Sequence, residues 1–147
     1  MPTSDSLEAE MVRDYDRILL ALCIWREARG ESVTAKVGVG WTVRNRALRP
    51  SWWGRDWAGV ITKKWQFTSM TGAGDPNLIV WPDRTDSTWL ASLDAAYTVY
   101  AGTVDDPTGG ATHYFDKSLD RNPPSWATAP NMHHTKDIGA FHFYRAG

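Results

Sequence analysis

The sequence predicts a mostly helical α+β domain with a small β element late in the chain. Three observations carry this expectation. The run from Ile18 to Trp25 is apolar throughout and is followed by a charged end and Gly30. Two further segments, Ser32 to Pro50 and Asp86 to Gly102, repeat apolar residues at helical spacing. Strand-like segments come only afterwards, at Ala111 to Phe115 and at Ile138 to Tyr144. A chain of 147 residues is long enough to bury one core without disulfides, so residues 1–147 are read as a single domain. Residues 1–13, acidic and polar, are expected to form a flexible leading segment.

Each element follows from its own signals. Asp14 or Asp16 can cap the first helix, and Gly30 can end it. Eight consecutive apolar residues leave that helix no polar face, which predicts burial all round. The second helix starts near Ser32, carries Val33, Val37, Trp41 and Leu48 on one stripe, and stops at Pro50. Gly38 and Gly40 each lower its propensity by roughly 1 kcal/mol relative to Ala, which predicts close approach to the first helix. Ser51 to Gly59 reads as an aromatic loop leading into a short helix around Asp56 to Thr62. Lys63 to Arg84 is rich in Gly, Pro, Asp and Asn and reads as a long functional loop. Asp86 or Ser87 caps a helix with Trp89, Leu93, Ala96 and Tyr100 on one face. A turn at Asp106 to Gly110, the strand from Ala111, a Pro-rich loop at Arg121 to Ser125 and a terminal strand complete the chain.

Composition excludes several classes of function. Lys and Arg number 16 against 17 Asp and Glu, a net charge of −1, which argues against nucleic acid as a partner. The longest apolar run is too short to span a bilayer, and no basic region followed by an apolar stretch marks a secretory signal, so no membrane insertion is expected. The lone Cys23 excludes an internal disulfide and reads as a small buried hydrophobe. Nine Trp exceed what one core of this size needs. Trp25, Trp41 and Trp89 are assigned to core stripes. Trp52, Trp53, Trp57, Trp65, Trp81 and Trp126 fall in loops or at their edges, where indole faces can stack on ligands such as sugar rings.

Glu27 is the carboxylate that stands out. It follows the buried run and lies in the last turn of its helix, where desolvation and the helix dipole both disfavour ionisation. A shift from about 4.3 to about 6 or 7 would make it a general acid near neutrality, at roughly 2 to 4 kcal/mol. An ion pair with Arg26, Arg29 or Arg44 would lower its pKa instead, and position alone leaves both readings open. Glu31 is expected to favour the start of the second helix electrostatically. Asp56 and Asp75 are candidates for a second carboxylate, although loop aspartates are commonly turn formers. His113, His133, His134 and His142, with Asp137, invite a metal reading, but no HxxxH or HExxH spacing is present. A neighbouring His pair cannot easily place both rings on one ion, so neither metal nor cofactor is expected. No nucleophile elbow or phosphate-binding loop is found.

These residues also form an ordered set of blocks. WREARGES followed by VGVGWTVRNR resembles the signature of the cell wall hydrolase family that contains spore cortex-lytic enzymes and many phage endolysins. The likeness continues through WQFTSM, GDPN, DPTGGATHYF, PPSWA and IGAFHFYR, from about Arg17 to Arg145. The resemblance implies a lysozyme-like fold acting on peptidoglycan, as a lytic transglycosylase or muramidase cutting between N-acetylmuramic acid and N-acetylglucosamine. It also assigns the catalytic glutamate, the first Glu of the EARGE block, to Glu27. By position, Gln66, Thr68 and Asn45 are candidates to bind N-acetyl groups or orient the glutamate. Phe67, Tyr114 and Trp126 are candidates to line the groove. Thr68-Ser69-Met70 departs from relatives that carry Ser and an aromatic there.

The separate wall-binding module of the spore enzymes is not found, which points to a phage or prophage endolysin. Such a protein is expected to act as a monomer on peptidoglycan, held in the host cytoplasm until a membrane lesion releases it, or packaged in a virion. Two rivals belong to other classes. One is a silent glycan-binding module; the other is a metal-dependent wall amidase or peptidase using His113, His133 or His142.

Overall fold

A computed structural model describes residues 3–147. The long helix α1 spans Ser4–Ala28 and α2 spans Val33–Leu48. Short helices α3 (Trp57–Ile61) and α4 (Thr68–Thr71) follow, then α5 (Ser87–Ala101). Strands β1 (His113–Asp116), β2 (Met132–Ile138) and β3 (Phe141–Ala146) form one antiparallel sheet in the order β1-β3-β2. Single 3-10 turns occupy Pro76–Ile79, Lys117–Leu119 and Ser125–Thr128. The expected mostly helical α+β domain with a late β element is what the chain forms.

The first helix starts earlier than its sequence suggests. Thr3 caps it by accepting from the Ser6 amide at 3.1 Å, and Asp5 lies in the first turn, where negative charge is favourable. Residues 4–13, within the segment expected to be flexible, are helical, and residues 1–2 lie outside the described residues; Leu, Glu, Ala and Met in 4–13 are good helix formers. This half projects into solvent, with Leu7, Met11, Tyr15 and Ile18 exposed. The second half is enclosed as expected, and every residue from Leu20 to Arg26 is buried. α1 packs against α2, α3 and α5, and these helices build most of the core.

In α2 the predicted stripe holds only in its middle, where Val37 is buried and Trp41 packs on the core. Val33 and Leu48 are exposed, while Ala35, Val39, Thr42, Val43 and Arg46 are buried. The two glycines explain the choice of face. A Cβ at Gly40 would sit 3.1 Å from Val99 and 3.2 Å from Ile24, and one at Gly38 would sit 2.9 Å from Phe143. The missing side chains thus admit α1 and α5 on one side and the sheet on the other. Asp56 caps α3, accepting from the Gly59 amide, and Asp86 caps α5, which ends at Gly102 with φ 72°.

The sheet has one more strand than expected. β2 and β3 form a hairpin around Gly139-Ala140, so the segment from Met132 pairs with the predicted terminal strand. β2 alternates poorly because most of its side chains stay exposed, which hides it from a periodicity reading. Glu31, which directly precedes the α2 cap Ser32, also reaches this hairpin: its Oε1 accepts from the Ala140 amide at 2.9 Å. Tyr114 of β1 lies across from Phe143 and packs on Phe141 and Phe143, on the face turned toward the helices.

Candidate active site

Glu27, the penultimate residue of α1, is half-buried at the junction of α1, α4 and β1. Tyr114 donates its hydroxyl hydrogen to Glu27 Oε1. Among the described residues no cation pairs with this carboxylate. Arg26 instead donates to the carbonyls of Ser69 and Val80, Arg29 to Asn77 Oδ1, and Arg44 to the carbonyls of Val99 and Tyr100. The charges at the end of the buried helix therefore anchor the 63–84 loop, and the ion-pair reading of Glu27 does not hold. Burial pushes the Glu27 carboxyl above its ordinary value and the Asp75 charge adds to this, against opposing pulls from Tyr114 and Ser69. The net result is an acid that keeps its proton to higher pH than a free glutamate.

Two hollows that share Trp65 are lined by residues that act on Glu27, without Glu27 itself in either lining. One, of about 220 Å³, is lined by Arg46, Trp52, Trp65, Gln66, His113, Tyr114 and Trp126. The other, of about 540 Å³, is lined by Trp65, Thr68, Gly72, Ala73, Gly74, Asp75 and Pro76. Trp65 borders both and is 73% exposed. Its φ of 72° is the only left-handed backbone angle at a non-glycine among the described residues. A bulky residue held there is strained, and such strain clusters at ligand sites. The Tyr114 hydroxyl joins the first hollow to Glu27, and Asp75 joins the second to it through charge.

The residues singled out by sequence fall into two groups. Tyr114, Trp126 and Gln66 line the first hollow and Thr68 the second. Gln66 Oε1 accepts from Arg46 at 3.1 Å, and Thr68 donates to Asp75 at 2.8 Å. Asn45 and Phe67 are not at the surface of the cleft. Asn45 is buried and donates to Asp106 and to the Ala111 carbonyl, so it braces the turn before β1. Phe67 is 3% exposed and supports Tyr114 from below, with ring centroids 6.4 Å apart. Of the two candidate second carboxylates, Asp56 is a helix cap, whereas Asp75 acts on Glu27. Both Asp75 oxygens already accept hydrogen bonds, from Thr68 and from the Asn77 amide.

Sequence reasoning missed Arg46 and considered His113 only as a metal ligand, not as a wall of the cleft. Arg46 lies buried under the cleft, donating to the Thr112 carbonyl at 2.6 Å, and burial lowers it to about 10. Its guanidinium stacks on Trp53 and Phe67. His113 is pushed down to about 4 by burial and by Arg46, and so stays neutral against Trp126. A buried arginine on an otherwise apolar helix face carries no sequence signal, because Arg is ordinarily exposed. Trp25 and Trp89 are buried as expected, and the loop indoles divide between core and surface. Trp53 is core, donating to the Arg46 and Arg49 carbonyls, while Trp52, Trp65 and Trp81 stay exposed.

A helical body faced by a small antiparallel sheet, with Glu27 and an aromatic hollow where they meet, defines an α+β domain with a candidate acid site. The chain belongs to the Cell Wall Hydrolase family, whose model matches residues 30–144, just beyond Glu27. It is 34% identical over 103 residues to a spore cortex-lytic enzyme of Halalkalibacterium halodurans, covering 70% of this chain and 28% of that protein. The match thus spans little more than a quarter of that relative's length. The fold resembles the catalytic domain of the germination-specific lytic transglycosylase SleB from Bacillus anthracis, with TM-score 0.66 and 26% identity over 87% of this chain and 92% of that one. The catalytic domain of the Bacillus cereus SleB protein gives TM-score 0.66 and 28% identity, over 87% and 88%.

Proposed function

We propose that this chain cleaves peptidoglycan glycan strands between N-acetylmuramic acid and N-acetylglucosamine by lytic transglycosylation, with Glu27 as the general acid and then the base. The observation that carries the reading is Glu27 itself: burial favours its protonated form, no cation among the described residues pairs with it, and Tyr114, which donates to it, also lines an aromatic hollow. The likeness to SleB catalytic domains supports the reaction type.

Tyr114 occupies Oε1 as a donor, which leaves Oε2 to carry the proton. Glu27 gives that proton to the glycosidic oxygen as the bond to the anomeric carbon breaks with oxocarbenium-like character. The muramyl C6 hydroxyl then attacks the anomeric carbon, and its proton passes to the ionised Glu27. The products are a free N-acetylglucosamine hydroxyl and a 1,6-anhydromuramyl end, no water is consumed, and the acid is regenerated. Hydrolysis by the two-carboxylate route needs a second acid free to act on water or carbon. Asp75 has both oxygens engaged by its own loop, which favours the internal nucleophile. The exposed Trp52 and Trp65 supply apolar faces for sugar rings.

Mass spectrometry of products from purified peptidoglycan tests the proposal. Anhydromuramyl ends are expected. Reducible muramyl ends would make the enzyme a muramidase, released stem peptides an amidase or peptidase, and pull-down without any product a binding module. The histidines named for a metal peptidase are not brought together as a trio: His113 is buried beside Arg46, and His133 bonds to the Gly147 carbonyl.

The biological setting proposed is that of a monomeric phage or prophage endolysin, held in the host cytoplasm until the membrane is breached. Expressed inside a bacterium, it should lyse the culture only after a membrane-permeabilising agent is added. Lysis without the agent would contradict cytoplasmic retention, and its detection in purified particles would place it in the virion.

A further inference from the structure

The face of the sheet turned away from Tyr114 carries a second cluster. His134 on β2 lies across from Tyr144, and Asp137 on β2 lies across from His142 on β3. In a regular strand residues three apart face opposite sides, so His134 and Asp137 would diverge. A bulge between His134 and Lys136 shifts the register and turns both to the side of His142. His134 Nε2 and His142 Nδ1 each lie 2.6 Å from Asp137 Oδ1, and the three groups place their ligand atoms within 4.8 Å of one another. Behind them, Asp120 Oδ1 lies 2.7 Å from His142 Nε2.

We propose that His134, Asp137 and His142 bind a divalent transition-metal ion such as Zn²⁺, and that Asp120 orients His142 from behind. Two imidazoles and one carboxylate are an ordinary zinc donor set. A carboxylate on the far nitrogen of a ligating histidine is the usual support for such a site, and its loss costs about 10- to 100-fold in affinity. Apolar Phe115, Pro123 and Ala127 wall the adjoining hollow of about 380 Å³, which leaves room for a water as a fourth ligand.

The ion fastens the segment from Lys117 to Thr128 to the sheet. That segment carries Trp126, which packs on His113 and Tyr144 and reaches over the edge strand β1 into the cleft. The metal is structural, and its binding is independent of the chemistry proposed for Glu27.

Calorimetric titration of chelator-treated protein with Zn²⁺ tests this. One equivalent is expected to bind the wild type, the Glu27→Gln variant and the His133→Ala variant alike. His134→Ala should bind at least 100-fold more weakly, and Asp120→Asn 10- to 100-fold more weakly. Co²⁺ in place of Zn²⁺ should give a visible absorption spectrum that His134→Ala lacks. Hydrogen exchange across residues 117–128 should slow on Zn²⁺ addition to the wild type only. Absence of saturable binding, or equal binding by His134→Ala and wild type, overturns the site. Zn²⁺ binding without slower exchange overturns its role on the segment. Loss of wall cleavage by Glu27→Gln leaves the Zn²⁺ titration unchanged, so the two proposals fail separately.

Discussion

Tyr114 donates to Glu27 Oε1 across the gap between β1 and the end of α1, joining two residues 87 positions apart. This contact tunes the proton affinity of Glu27. It favours the ionised carboxylate, while burial, the larger effect, favours the proton. Tyr114→Phe removes only the opposing pull, so the Glu27 pKa rises further. A general acid works while protonated, and its rate falls as pH rises through its pKa. The basic limb of kcat/KM should therefore move to higher pH in Tyr114→Phe, with the maximum about tenfold lower for the lost orientation of about 1.4 kcal/mol. A limb that stays in place or moves to lower pH would count against Glu27 as the acid.

The same raised pKa has a cost in stability. Above the unfolded value of 4.5, the unfolded chain has released a proton that folded Glu27 still holds, so stability is lost as pH rises through the window up to the folded pKa. Glu27→Gln removes this penalty. Its Tm should exceed that of the wild type at neutral pH, and the difference should vanish below pH 4.5. A variant less stable than wild type at pH 8 would show that the carboxylate is favourably paired after all.

His113 has the opposite sign. Its pKa falls from 6.5 unfolded to about 4 folded, because burial and Arg46 disfavour the imidazolium. Between those values the unfolded chain binds the extra proton, so stability is lost as pH falls from 6.5 toward 4. The loss should reach about 3 kcal/mol at 1.36 kcal/mol per pKa unit. Urea unfolding at pH 7 and pH 4 measures it, and His113→Phe should flatten the slope. An unchanged slope in that variant would place the acid sensitivity elsewhere.

Much of this was legible in the sequence, for identifiable reasons. Glu27 stands out because the charged pair Arg26-Glu27 at the end of an eight-residue apolar helical run demands an explanation, and that signal is local. The caps at Ser32, Asp56 and Asp86 are local too, and α2, α3 and α5 begin where they indicate. What was not legible depends on partners distant in the chain. Asn45 and Phe67 sit among cleft residues in sequence yet turn into the core, since facing is set by Asp106 and Tyr114. The neighbouring His133 and His134 gave no metal spacing, because a bulge and a strand 8 residues further on assemble the cluster. The N-terminal half of α1 escaped because polar helix formers surrounded by solvent leave no buried face to mark it.

Trp65 offers a separation of stability from function. Glycine tolerates its left-handed backbone, and the indole it replaces is largely exposed. Trp65→Gly should keep a Tm at least equal to that of the wild type. Its rate of wall cleavage should fall about tenfold, equivalent to about 1.4 kcal/mol of sugar stacking. A fall in Tm with unchanged cleavage would make Trp65 a packing residue.

The central claim is that the proton on Glu27 cuts the glycan strand, and one comparison tests it most directly. Purified peptidoglycan is digested with equal amounts of wild type and Glu27→Gln, whose fold is checked by its thermal transition, and the muropeptides are quantified by mass spectrometry. The account predicts anhydromuramyl products from the wild type and less than about one hundredth of that yield from Glu27→Gln, in line with the 10²- to 10⁴-fold effect of general acid catalysis. Anhydromuramyl products from the folded variant at more than a few per cent of the wild-type yield would contradict it.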